Sequence, residues 1–214
     1  MMIMAIDGAC RRNGKPSCVA SGGVFMLHFA ATLSIQNAAA LAVYEVKSTN
    51  QRGEMLALLE ALRYVKGPTN IVTDSEYLFN AMTKNWCYNW ENKGWVTAAD
   101  KAVKNQDLWE QILEAHKKLE YEVNFYYIKG HVVSIGKVTA SKLLSQDPTG
   151  RLLYDTVNKN LSIKPAKQEE ALELSVKNNG FELEQESFKL FITMNTVADA
   201  IATQCVEKAD ALIS

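Results

Sequence analysis

Three acidic side chains stand where short apolar segments end or a helix begins. Asp7 follows the apolar run MIMAI, Asp74 follows NIVT, and Glu54 lies in the first turn of a helical segment. Strand ends of open α/β sheets are common binding sites. Carboxylates that converge there repel one another, and a divalent cation that prefers hard oxygen ligands, such as Mg²⁺, offsets the repulsion. Each acid alone is more typical of a turn or a cap, so the metal-site hypothesis rests on the joint pattern, with Asp199 as a fourth candidate.

The elements that must position these acids follow the order of an α/β fold with a mixed sheet. β-Branched and apolar runs predict three strands at residues 2 to 6, CVASGGVFMLHFA and AALAVYEVK. Helical spacing predicts a helix in GEMLALLEALRYVKG, ending at Gly67-Pro68. The remainder predicts a strand in NIVTD, helices in SEYLFNAM and NQDLWEQILEAHKKL, and a strand in YEVNFYYIKGH.

The segment from about 132 to 194 has a different character. Turn signals in SQDPTG, IKPAKQEE and KNNGFELEQ separate the helical pieces ASKLLS, RLLYDTVNKNL and QEEALELSVKN. The final NTVADAIATQCVEKADALIS predicts a closing helix.

Composition indicates a soluble globular protein. The chain has 214 residues, 48% of them hydrophobic, and a net charge of -1, so binding to a polyanion would depend on local patches. Its four cysteines lack CxxC spacing, which argues against a zinc site and a disulfide framework and favours a reduced setting. The first residues resemble neither a signal peptide nor a membrane span. We therefore expect a cytoplasmic protein that does not act at a membrane.

Six segments, in order along the chain, resemble the motifs of type 1 ribonuclease H, the family that hydrolyses the RNA strand of RNA/DNA hybrids. They are IDGAC, STNQRGEMLALLEAL, VTDSEYL, KNWCYNWENKGWVTAADKAVKNQDLW, IKGH and NTVADAIA. An ordered set of six is far more specific than any one motif. The resemblance implies a ribonuclease H-like α/β fold, a five-stranded mixed sheet flanked by helices, with a mainly helical insertion.

The resemblance also implies a catalytic set and its cofactor. The family's metal-binding carboxylates fall on Asp7, Glu54, Asp74 and Asp199, and His131 matches a mobile histidine that acts in proton transfer or product release. Two Mg²⁺ ions, with Mn²⁺ as a substitute, would support in-line cleavage of a phosphodiester. Endonucleolytic cuts would then leave 5′-phosphate and 3′-hydroxyl ends.

Contacts with the hybrid follow from the same resemblance. Polar side chains near the first turn and the helix entry would read the 2′-hydroxyls that distinguish RNA from DNA. Glu76 stands where the family often has Gln, which removes a donor, whereas Arg11, Arg12 and Lys15 add positive charge in the first turn. The implied contacts are Cys10, Asn13, Asn50, Gln51 and Glu76 with the RNA, Thr49, Asn105 and nearby Arg52 with a DNA phosphate, and Trp86 with a DNA sugar.

A cluster of tryptophans follows Asp74. Residues 84 to about 104 resemble the family's basic protrusion, or handle, which grips the DNA strand. We assign Trp86 to the DNA contact and expect Trp90, Trp95 and Trp109 to form the core of the handle.

An insertion separates two active-site elements, because His131 and Asp199 are 68 positions apart. Insertions of about sixty residues are tolerated, since loop length affects stability only slowly. We predict a catalytic domain at residues 1–131 and 195–214 and an inserted helical subdomain at 132–194. That subdomain is a lid, a module through which a protein partner would bind, or a passive addition.

Three functions remain open. The first is a Mg²⁺-dependent endoribonuclease specific for RNA/DNA hybrids, and the second is a non-catalytic module that binds a hybrid or a protein partner. The third is another nuclease on a similar sheet, such as a resolvase or an integrase core. Retention of the acidic set favours the first, because a binding module does not need mutually repelling acids.

Overall fold

A mixed sheet with helices on both faces forms the protein. The computed structural model describes residues 1–15, 17–32, 34–133 and 135–213. Within these residues the sheet has five strands in the order β3-β2-β1-β4-β5. β1, β2 and β3 pair antiparallel, whereas β4 and β5 run parallel to β1. The predicted ribonuclease H-like fold class is confirmed.

The strands are β1 Met2–Arg11, β2 Val19–Phe29, β3 Ile35–Val46, β4 Thr69–Thr73 and β5 Val123–Tyr127. The helices are α1 Asn50–Arg63, α2 Glu76–Thr83, α3 Trp86–Asn92, α4 Gln106–Lys117, α5 Lys137–Gln146, α6 Arg151–Lys159, α7 Pro165–Asn179 and α8 Gln185–Ile213.

Successive side chains of β1 enter two different cores. Met4 and Ile6 join the core beneath α1 and α4, whereas Ile3 and Ala5 join the core beneath α8. This alternation follows from the two-residue period of a strand. Because both faces are covered by helices, the first strand reads as a continuous apolar run.

Two adjacent glycines in β2 allow helices to approach both faces of the sheet. A Cβ on Gly22 would lie 2.6 Å from the backbone nitrogen of Ala57 in α1, and a Cβ on Gly23 would lie 2.4 Å from the carbonyl oxygen of Ala198 in α8. Both separations are shorter than real Cβ contacts. The pair therefore fixes how close the two helices that carry Glu54 and Asp199 come to the sheet.

The insertion shares a core with the sheet. Leu144, Val157 and Ala171, from three inserted helices, belong to the same buried cluster as Phe25 of β2. The ring of Tyr154 stacks on Phe25 with 5.8 Å between ring centres. The helices of the segment predicted to be an insertion, α5, α6 and α7, are consequently packed against the sheet rather than held away from it.

The last helix begins ten residues before the closing helix that the sequence predicts. α8 starts at Gln185, so the predicted boundary at 195 lies inside it. Burial of Phe188, Phe191 and Ile192 against the sheet explains the extension, because packing of an apolar face contributes more to helix stability than propensity does. No helix in the described ranges, α8 included, is both long and apolar enough to span a membrane.

Cys10 and Cys18 form a disulfide across the β1–β2 hairpin, with 6.8 Å between their Cα atoms. This corrects the expectation that the cysteines are reduced and unpaired. The antiparallel register, in which Cys10 faces Ala20, brings Cys18 within reach despite a spacing that fits no metal motif. The sulfur of Cys10 therefore has no thiol proton to donate to a 2′-hydroxyl.

We expect Gly23→Ala to lower the free energy of unfolding by about 1–3 kcal/mol, the usual effect of overpacking a core, because backbone atoms of α8 occupy the space. Chemical denaturation monitored by circular dichroism measures this change. Gly67→Ala is the matched control, since no atom lies within 4 Å of its added Cβ. Equal stability of both variants would contradict the close-approach argument.

Candidate active site

Asp7 and Asp74 lie side by side because β1 and β4 are parallel neighbours. Ile6 pairs with Thr73, and each aspartate is the next residue along its strand direction. α1 crosses β1 immediately afterwards, where a Cβ on Gly8 would lie 2.6 Å from the backbone nitrogen of Glu54. Sheet register and helix contact thus bring three acids together at the end of the sheet toward which the parallel strands β1 and β4 run.

Asp7 is the most constrained of these acids. Burial raises its pKa well above the usual value, and the charges of Asp74, Asp199 and Glu54 raise it further. The backbone N–H of Gly8 donates to Oδ1 at 2.6 Å. Within the described residues, the buried Oδ2 has no hydrogen-bond partner.

Asp74 and Asp199 are half-buried, and desolvation raises the pKa of both carboxyls. The charge of His131 acts in the opposite direction on each, so the histidine lies within electrostatic range of the pair. The amide of Asn195 donates to Asp74 Oδ2 across 3.4 Å. Lys137, the first residue of α5, also lowers the pKa of Asp199.

Glu54 is held by two neighbouring side chains. Asn50, one helical turn earlier, donates to its Oε1 at 3.1 Å, and the Ser75 hydroxyl donates to its Oε2. Burial nevertheless raises the pKa of Glu54 to about 7. The carboxyl therefore lies close to its protonation midpoint at neutral pH when no cation is present.

The donor chemistry of this cluster fits a hard divalent cation. Its oxygens are desolvated and mutually repelling, and Oδ2 of Asp7 lacks a partner, which are the conditions that such a cation relieves. In the part of the chain described here, no three His, Cys, Asp or Glu side chains are arranged as a finished metal-ligand set. Side-chain rotation would have to complete the coordination.

The predicted RNA-contacting residues form a polar rim beside the acids. The side chain of Asn13 in the first turn accepts a hydrogen bond from the backbone of Asn50 at 3.5 Å. Gln51 accepts from Asn105 at 3.1 Å, which joins α1 to the start of α4. Glu76 is exposed at the first position of α2.

The structure places the side chain of Arg52 between two acids. It donates two hydrogen bonds to Glu45 at 2.7 and 2.8 Å, and two to Asp107 at 2.8 and 2.7 Å. An Arg has five N–H donors, so little of this guanidinium is available for a phosphate. Thr49 caps α1 by accepting from the backbone N–H of Arg52 at 3.3 Å.

Asp210 engages two of the three cations that were expected to attract the hybrid. Arg11 lies 3.3 Å from this buried carboxylate, and Arg12 binds both of its oxygens. The basic first turn is thereby tied to α8. Its positive field toward a nucleic acid is smaller than the sequence indicates.

The tryptophans form a graded cluster. Trp109 is fully buried, and Trp90 packs 5.8 Å from it and 6.3 Å from Tyr77. Trp86 is half-buried at the margin, 6.3 Å from Trp90, with the ammonium of Lys84 5.8 Å from its ring. Trp86, the ring that the sequence assigns to the DNA strand, is therefore partly exposed and lies beside a lysine.

Two supporting residues were not identified as part of the site from the sequence. The sequence indicates Ser75 only as a helix start, which the structure confirms, and its hydroxyl also donates to Glu54. Gly130 carried no signal of its own, yet a Cβ there would lie 1.7 Å from Asp74 Oδ2. Only the folded chain shows that the backbone just before His131 lies against the side chain of Asp74.

We expect Glu54→Gln to change how stability depends on pH in the metal-free protein. A folded-state pKa of about 7 against an ordinary 4.5 means that the folded state binds more protons, so stability falls as pH rises from about 4.5 to 7. The variant removes this contribution and should be more stable than wild type at pH 8 by up to about 3 kcal/mol. Thermal unfolding in EDTA measures the difference, with exposed Glu120→Gln as the control. Parallel pH curves for wild type and Glu54→Gln would contradict this assignment.

Comparison with known proteins agrees with this geometry. The family model described as RNase H matches residues 1–147. Ribonuclease H of Clostridium botulinum is 35% identical over 132 residues, which is 61% of this chain and 83% of that protein. Ribonuclease H of Thermus thermophilus is 39% identical over 127 residues, or 58% and 70% of the two chains.

A third relative and a solved structure extend the comparison. Ribonuclease H of Rickettsia canadensis is 35% identical over 147 residues, covering 68% of this chain and 87% of that protein. The solution structure of the PFV RNase H domain is 18% identical with a TM-score of 0.56, covering 97% of this chain and 94% of that one, and shows a shared fold. Because the family model matches more than half of its residues, the chain belongs to the ribonuclease H family.

Proposed function

We propose that this ribonuclease H is an endoribonuclease that hydrolyses the RNA strand of RNA/DNA hybrids with the help of divalent metal ions. The observation that carries the proposal is the cluster of buried Asp7 with half-buried Asp74 and Asp199, whose charges oppose one another around the unpartnered Oδ2 of Asp7. A protein that only binds nucleic acid gains nothing from such repulsion. Family membership supports the same activity.

In this proposal Asp7, Glu54, Asp74 and Asp199 hold two Mg²⁺ ions, for which Mn²⁺ can substitute. The ions, when bound, would make a water nucleophilic and stabilise the departing 3′-oxygen, so that products carry 5′-phosphate and 3′-hydroxyl ends. The chain itself orients the ligands. The backbone of Gly8 donates a hydrogen bond to Asp7, and the amide of Asn195 donates one to Asp74. Ser75 and Asn50 both donate to Glu54.

His131 would move a proton or help the product leave. Its side chain is exposed, and its charge reaches both Asp74 and Asp199. An exposed imidazole next to the acids can exchange protons with solvent and also approach a phosphodiester. The position supports a role at the reacting phosphate.

Strand selection would depend on the polar rim. Asn13, Asn50 and Gln51 face the shallow minor groove in this proposal, where 2′-hydroxyls distinguish RNA from DNA. Thr49 and Asn105 hold a DNA phosphate, with Arg52 in a supporting position because its donors already bind Glu45 and Asp107. Cys10 can contribute only its backbone, since its sulfur is bonded to Cys18.

We expect Asp7→Asn and Asp74→Asn to reduce Mg²⁺-dependent hybrid cleavage by more than about 100-fold, because each removes a charged metal ligand. The measurement uses labelled RNA/DNA hybrid, duplex RNA, duplex DNA and single-stranded RNA, each with Mg²⁺ or EDTA. Cleavage confined to the RNA of the hybrid, and lost in EDTA, is the expected wild-type result.

Asp155→Asn is the matched control, since this exposed carboxylate pairs with Arg151 in α6. It should retain the wild-type rate. Near-normal turnover in both Asp7→Asn and Asp74→Asn would overturn the catalytic assignment. A metal-independent gel shift without cleavage by wild type would instead indicate a binding module.

We expect Trp86→Ala to raise KM for the hybrid several-fold with little loss of stability, since an aromatic ring at the margin of the handle contacts the DNA strand. Trp90→Ala should mainly lower the melting temperature, because Trp90 packs between Tyr77 and Trp109. Steady-state kinetics and thermal unfolding of both variants separate the two effects. An unchanged KM in Trp86→Ala, together with a raised KM in a stable Trp90→Ala, would reverse the assignment.

A further inference from the structure

The inserted helix α7 lies along β5, the edge strand that leads to His131. The side chain of Asn179 brackets Tyr127, accepting from its backbone N–H at 2.8 Å and donating to its carbonyl oxygen at 2.9 Å. The buried Ser175 hydroxyl donates to the same carbonyl at 3.4 Å. At this residue α7 provides the hydrogen bonds that a further strand would otherwise make.

Contacts continue into the loop beyond β5. Lys129 forms an ion pair with Glu170 of α7, and the ammonium of Lys167 donates to the carbonyl oxygen of His131 at 3.3 Å. Residue numbers fall along α7 as they rise along the loop, so the helix runs antiparallel to β5 and the loop. One inserted helix therefore accompanies the chain from the sheet edge to the histidine.

The loop needs such support. His131 adopts a φ of 56°, a left-handed conformation that a side chain with a Cβ rarely adopts. Its imidazole is exposed, so packing does not fix it. The chain turns at Gly130 and His131, shortly after the strand ends. After the histidine, Val132 is buried in the core formed with α5, α6 and α7, and this burial anchors the other end of the loop.

We propose that α7 positions His131 for the reaction and that Lys167 and Glu170 are positioning residues, one through the carbonyl of His131 and the other through Lys129. The inference rests on the proposed function. An exposed ion pair contributes little to global stability, whereas a displacement of about 1 Å in a reacting group strongly reduces rate. In this proposal the segment from 132 to 194 contributes to the geometry of the active site through α7.

The test compares the double variant Lys167→Met/Glu170→Gln with wild type in full-length protein on a labelled hybrid with Mg²⁺. Its kcat should fall about tenfold while KM stays within about twofold, because geometry rather than binding is lost. The melting temperature should stay close to that of wild type. Glu173→Gln/Lys177→Met, the same charge changes at exposed positions of α7, should leave kcat unchanged.

A double-mutant cycle with His131→Ala identifies the route of the effect. If Lys167 and Glu170 act through His131, their substitution should have no further effect once the imidazole is absent. A similar loss of kcat in the His131→Ala background would overturn the proposal. An unchanged kcat of Lys167→Met/Glu170→Gln with His131 intact would also overturn the proposal, provided that wild type cleaves the hybrid.

Amide hydrogen exchange tests the proposal without any measurement of hybrid cleavage. Amides of residues 129–132 should exchange faster in Lys167→Met/Glu170→Gln than in wild type or the Glu173→Gln/Lys177→Met control. Equal exchange in all three proteins would overturn the positioning role. A wild type that cleaves no hybrid, but whose loop amides respond as expected, would overturn the proposed function and leave the mechanical link between α7 and the loop in place.

Discussion

Mutual repulsion among buried carboxylates is the constraint around which the rest of the protein is arranged. The parallel register of β1 and β4 sets Asp7 beside Asp74, and burial raises the pKa of both. Such an arrangement is unfavourable on its own, so it persists only where the surrounding structure enforces it. The enforcement comes from two cores, one on each face of the sheet, and from the glycine pair in β2 that admits α1 and α8.

Three arginines form ion pairs with carboxylates outside the cluster of Asp7, Glu54, Asp74 and Asp199. Arg52 binds Glu45 and Asp107, and Arg11 and Arg12 bind Asp210. A guanidinium inside the cluster would neutralise it permanently and compete with a cation. Because these side chains have other acidic partners, the cluster retains the negative charge that draws a divalent ion.

The insertion changes the physical environment of the site without changing its acids. Its helices share a core with β2, and α7 lines the edge strand and reaches the backbone of His131. Lys137, at the start of α5, lies within electrostatic range of Asp199. A segment that the sequence marks only as a change of composition thus lies close to His131 and to Asp199.

The sequence by itself determined the α/β order, the strand that carries Asp7, the strand that leads to Asp74, and the ribonuclease H family, because these depend on local periodicity and ordered motifs. It did not determine that β1 continues past Asp7 to Arg11. It also placed Glu54 near the start of the helix, although α1 begins at Asn50 and Glu54 therefore follows its first turn. Tertiary structure alone decided the Cys10–Cys18 pairing, the early start of α8, the partners of Arg52 and the contact of α7 with the His131 loop. Each of these depends on which residues meet across long chain separations, and a single sequence carries no local signal for such encounters.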